Sequence, residues 1–119
     1  MPNDNNIVYK KAYDLAIRIV NIYQELIKEK KEFVLSKQLL KSGTSNAANI
    51  TEANGAISNA DFSAKISIAY KEDLETKYWL SLMKDTRYLD EMIYVELFAD
   101  TDEIAKILYA ILKKTRINI

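Results

Sequence analysis

The chain has 119 residues, 49% of them hydrophobic and 29% charged, the make-up of one ordinary globular domain with enough apolar side chains to bury a core. It contains no cysteine and no histidine. That removes disulfides, thiolate nucleophiles, Cys-ligated zinc, the commonest metal ligand and the commonest general base, and with them most catalytic chemistry. Seventeen basic residues balance seventeen acidic ones, which argues against the strong positive field of a dedicated nucleic-acid binder. The charges are nevertheless segregated: residues 1–50 carry eight basic and five acidic groups (+3), residues 51–105 five and twelve (−7), and residues 106–119 four and none (+4).

The opening residues Met1 to Asn6 are polar, with neither a basic nor an apolar leader pattern, and the longest apolar run is Ile107 to Leu112. A cytoplasmic protein with no membrane partner is expected. Two glycines and one proline, the latter at position 2, leave few helix breakers, so long helices are the default. The first is expected over about 8–30. Val8, Ala12, Leu15, Ile19, Ile22 and Leu26 recur at spacings of three and four, and Tyr9, Tyr13, Ala16, Val20, Tyr23 and Ile27 repeat the rhythm one position on. An apolar arc that wide packs on more than one neighbour.

The charged run Lys28 to Glu32 reads as the solvated end of this helix and a turn. A second helix is expected over 34–53, with Leu39, Leu40, Ala47, Ala48, Ile50 and Ala53 as its apolar positions and Gly43 marking either a close approach or a bend. Asn54-Gly55 predicts its stop through a left-handed residue. Ser58 or Asn59 should cap a third helix over 60–87, and Asp90 a fourth over 91–115. The stretch Ala99 to Asp102 is the one place where that last helix could break, since Asp and Thr favour caps. Four amphipathic helices with short connections predict an all-α, antiparallel up-down-up-down bundle.

The block Ser36 to Ser45, followed by Ala48-Asn49-Ile50 and Glu52-Ala53, then Asp61-Phe62, Lys65 to Ala69, Lys71-Glu72, Glu75-Thr76 and Tyr78-Trp79-Leu80, resembles the bacterial four-helix-bundle family of 23S rRNA intervening-sequence proteins over roughly residues 8–116. The resemblance implies a ring-like homo-oligomer, commonly a pentamer, with no known catalysis. It also points to relatives among the accessory proteins of diversity-generating retroelements, which bind a reverse transcriptase and contact nucleic acid. Those relatives are markedly basic, whereas this chain is neutral. The doubled apolar stripes of helices 1 and 4 predict self-association independently; the number five comes from the resemblance alone.

Two constellations carry functional readings. In an up-down bundle Lys10, Lys11, Lys113, Lys114 and Arg116 fall at one pole, where they form either a basic rim for phosphates of rRNA or other nucleic acid or cations that merely oppose a helix dipole. On helix 2, Ser42, Ser45, Asn49 and Glu52 make a polar stripe, matched on helix 3 by Lys65, Glu72 and Glu75, with Asn49 expected near Lys65 and Ser42 near Glu72. A buried network fixing helix register or subunit contacts is the favoured reading. An all-oxygen metal site is the sharper alternative, weakened by the absence of any Glu-x-x-His pair. No nucleotide-cradling or hydrolase motif occurs, so no enzyme and no cofactor are expected. Most of the eight tyrosines and Trp79 fall within the apolar patterns and read as packing rather than as a base-stacking platform. The expectation is a non-catalytic scaffold touching nucleic acid, or an adaptor that docks a nucleic-acid-processing protein.

Overall fold

The computed structural model describes residues 3–117, with side chains described from residue 7 to residue 115. The described residues form four helices: α1 (Asn3–Glu29), α2 (Leu35–Asn54), α3 (Asn59–Asp85) and α4 (Glu91–Ile117). No strand occurs among the described residues. Each helix touches only its two neighbours, in the cyclic order α1, α2, α3, α4 and back to α1, with no diagonal contacts. The result is an up-down-up-down bundle of 47 × 21 × 20 Å.

Local chemistry explains where α2, α3 and α4 begin. Glu32, expected in a solvated turn, caps α2: its carboxylate accepts from the backbone N–H groups of Val34 (3.1 Å), Leu35 (3.0 Å) and Ser36 (2.7 Å). Burial pushes this carboxyl up, but those bonds and the Ser36 side chain outweigh it and hold the group below the usual carboxylate range. Ser58 caps α3 by accepting from Asp61 N–H at 3.0 Å, and Asp90 caps α4 by accepting from Ile93 N–H at 2.9 Å.

The left-handed stop expected at Asn54-Gly55 does not occur. Gly55 sits at φ −103°, and the turn closes because the Gly55 and Ala56 N–H groups donate to the Glu52 and Ala53 carbonyls at 3.1 and 3.0 Å. The left-handed residues are Lys31 (φ 55°) and Arg87 (φ 70°), in the turns after α1 and α3. Nor does α4 break at Ala99 to Asp102. Thr101 is buried and donates to the Leu97 carbonyl at 2.7 Å, while Asp100 and Asp102 turn outward to cations on α1 and α3.

The core is a single cluster fed by every helix, including Leu15 and Ile19 of α1, Leu39 and Ile50 of α2, Ile66 and Leu80 of α3, and Ile104 and Leu108 of α4. Gly43 is there for closeness, and α2 runs unbroken through it. A Cβ at that position would lie 2.9 Å from Ile19 Cγ2, so the absent side chain lets α2 settle against α1.

Candidate functional site

A polar seam runs down the α2–α3 interface. Asn46, Asp73, Ser42 and Thr76 are all completely buried. Asn46 Nδ2 donates to Asp73 Oδ1 at 2.5 Å, and its own carbonyl oxygen accepts from Ala47 N–H at 2.6 Å. About one turn away, Thr76 donates to the Glu72 carbonyl at 2.8 Å, and its hydroxyl sits 3.0 Å from Ser42 Oγ. Asp73 Oδ2 is buried without any hydrogen-bond partner. Burial drives this carboxyl up to about 8, against the opposing pull of the Asn46 amide and of Lys77. The group is thus a neutral acid over much of the physiological range.

This seam shares only Ser42 with the stripe expected from the sequence. Ser45 donates to the Lys41 carbonyl and Asn49 to the Ser45 carbonyl, both within α2. Lys65 pairs with Glu52 at 2.8 Å rather than with Asn49. Glu75 accepts from Trp79 Nε1 at 3.0 Å within α3. The Glu72 backbone carbonyl accepts from Thr76, and its carboxyl is raised by burial and by the neighbouring Glu75 charge against the opposing pull of Lys41 on α2. The α2–α3 register is therefore close to expectation, while the buried members are Asn46, Asp73 and Thr76, which the stripe omitted. Among the described residues no group of three or more acidic side chains is placed to hold a metal ion.

Lys10 and Lys11 are offset along the bundle axis from Lys113 and Lys114. Lys11 pairs with Glu103 at 3.3 Å and Arg18 pairs with Asp100. That register sets residues 113 and 114 level with the first turn of α1, about 10 Å, or two turns, beyond Lys10 and Lys11. The cause is the early start of α1 at Asn3 rather than near residue 8. Lys10 and Lys113 are exposed, Lys114 is engaged within the fold, and the Arg116 side chain lies outside the described residues.

The second apolar stripe of helix 4, Phe98, Ala105 and Leu112 at spacings of seven, expected to face another copy of the chain, instead turns inward. Ala105 and Leu112 are buried, and Phe98 packs on the core beneath the Lys77 ammonium, 5.2 Å from its ring. It is consumed inside the bundle by α3. On α1, Tyr13 of the second stripe stays 52% exposed and stacks on Tyr9 with ring centroids 5.9 Å apart, and Ile17, one turn on and outside either expected stripe, is 47% exposed. Among the described residues no helix is long and apolar enough to cross a membrane.

A family model described as 23S rRNA-intervening sequence protein matches residues 4–110. Among solved structures, a protein of unknown function from the S23 ribosomal protein family of Bacteroides thetaiotaomicron is 49% identical, with a TM-score of 0.91. The match covers 92% of this chain and 98% of that one. No curated protein matches the chain. With the bundle, its helix order and most of its length matched in this way, the chain belongs to the family of 23S rRNA-intervening sequence proteins.

Proposed function

We propose that this protein is a non-catalytic scaffold that associates with copies of itself and docks a nucleic-acid-processing protein. The observation that carries the reading is the open apolar strip of Tyr13 and Ile17 on α1, backed by Tyr9. Two large apolar side chains one turn apart, half exposed beside a fully sealed core, supply the kind of surface that another chain covers. The family resemblance sets the expected stoichiometry at five. Light scattering tests this directly. The wild-type chain should elute at a mass of several copies, and Ile17→Glu, an exposed substitution that leaves the core intact, should lower that mass. A monomeric wild type would refute the scaffold.

A second reading, direct association with rRNA or other nucleic acid, is favoured by exposed Lys10 and Lys113. Against it stand the neutral chain, the tie between Lys11 and Glu103, and the axial separation of the two lysine pairs. Titration of labelled 23S rRNA fragments and unrelated single-stranded DNA across a salt series separates the two readings. Binding that weakens steeply with salt and disappears in a Lys10→Glu, Lys113→Glu double variant favours the rim. Indifference to both nucleic acids favours the adaptor.

A further inference from the structure

The α1–α4 seam changes character along its length. Toward the start of α1 it is fastened by the Lys11–Glu103 and Arg18–Asp100 ion pairs. From Asn21 to Lys30 no ion pair among the described residues bridges the two helices. Two hollows of about 140 and 180 Å³ lie side by side there, with Ile22 and Ile93 lining both, and together they mark a groove between α1 and α4. Its floor is apolar, made by Ile22, Leu26, Ile93 and Leu97.

Its walls carry Glu25, Glu29 and Glu96, all exposed. None of these three carboxylates has an ion-pair or hydrogen-bond partner among the described residues. Of the cations on the rim, Arg18 is held by Asp100, and Lys30 stands just past the C-terminal end of α1, where the helix dipole favours it. The groove is thus an apolar slot with uncommitted negative walls.

We propose that this groove docks a basic amphipathic helix of a partner protein, a reading that rests on the scaffold role above and names the chemistry of what it carries. The slot between two antiparallel helices is the shape that another helix fills, with its ridges in the groove. The span from Asn21 to Lys30 accommodates roughly two to three turns. Apolar side chains at positions i, i+3 or i+4, and i+7 would cover Ile22 and Ile93, and lysines or arginines on either flank would meet Glu25 and Glu29 on one wall and Glu96 on the other. The sign of the walls rejects a phosphate backbone. A second copy of the chain fits poorly, because its uniformly basic stretch, residues 106–119, has Leu108, Ile111 and Leu112 committed to its own core.

Fluorescence anisotropy on the full chain tests the proposal with labelled synthetic peptides of about 18 residues, long enough to form a helix on docking. One places leucines at helical spacing between flanking lysines; a second scrambles the same composition; a third replaces the lysines with glutamates. The first should bind, and the other two should bind at least about tenfold more weakly. A Glu25→Lys, Glu96→Lys double variant, changed only at exposed positions, should weaken the first peptide at least about tenfold while leaving the helical circular dichroism unchanged. Equal binding of the scrambled peptide would reduce the effect to charge alone and overturn the proposal. So would indifference to the double variant, failure of the first peptide to bind, or displacement of it by a peptide of residues 106–119. Light scattering on the same samples keeps the outcomes apart, since a monomer that binds the first peptide refutes self-association but not the groove.

Discussion

Asp73→Asn should stabilise this protein, and the gain should grow with pH. Asp73 is completely buried, one of its oxygens has no partner, and its carboxyl is raised from the ordinary 3.8 to about 8 in the fold. Because the folded value lies above the unfolded one, the native state holds a proton that the unfolded chain has released throughout the window between them. Stability is then full below about pH 4, falls by about 1.4 kcal/mol per pH unit as pH rises toward 8, and levels off above it. By pH 7 the accumulated cost is at most about 4 kcal/mol, a large share of a typical folding free energy of about 5–15 kcal/mol. Asparagine has nearly the same shape, keeps an oxygen for the Asn46 amide and cannot ionise in either state. Urea unfolding of both proteins at half-unit steps from pH 5 to pH 9 gives the difference between their stabilities, in which every other titrating group cancels. That difference should widen in favour of Asp73→Asn up to about pH 8 and then stay flat. A constant difference across the series, or one that shrinks as pH rises, would refute the argument.

Glu32→Ala removes the carboxylate that caps three backbone N–H groups of α2 and should cost about 0.5–2 kcal/mol in a denaturation midpoint series near neutral pH. Because the Glu32 carboxyl is held below its usual 4.5, its contribution is present above that value and is lost as pH falls through the depressed one, so the Ala variant should show a shallower loss below about pH 4.5. Gly43→Ala forces a Cβ to within 2.9 Å of buried Ile19 and should destabilise by about 1–3 kcal/mol despite alanine's better helix propensity. Pairing it with Ile19→Leu, which moves the branch away from the contact, should restore part of the loss in the same thermal-melt measurement.

The helices and two of their caps were legible because apolar spacing and the side chains of Ser58 and Asp90 act locally. Glu32 was not, because a carboxylate inside a run of charges gives the same sequence signal whether it is solvated or bent back on the next helix. The buried seam was legible in part. The nearness of polar residues to one another on a helix points to Ser45, Asn49 and Glu52. Phase against the core was the stronger signal: Asn46 falls seven residues after Leu39 and four before Ile50, and Asp73 falls four after Ala69 and seven before Leu80, all of them buried. A polar side chain at a core phase must find a partner across the interface or stay neutral, and Asp73 does both. The level of the lysine pairs along the bundle was not legible for a different reason. Their levels depend on where α1 starts, and the apolar repeat does not reach the polar residues of its first turn.

Two opposite seams of the bundle are sealed by different means. Between α2 and α3 lie completely buried hydrogen bonds, whereas part of α1–α4 is held by half-exposed ion pairs, each worth about 0–1 kcal/mol and weakened by salt. Native-state opening is therefore graded. Amide protons of α1 and α4 should exchange with deuterium ahead of those in the α2–α3 hairpin, and added salt should widen the gap. The hairpin should thus be the persistent half of the molecule, and α1 and α4 the half that parts first, while α2 and α3 stay closed.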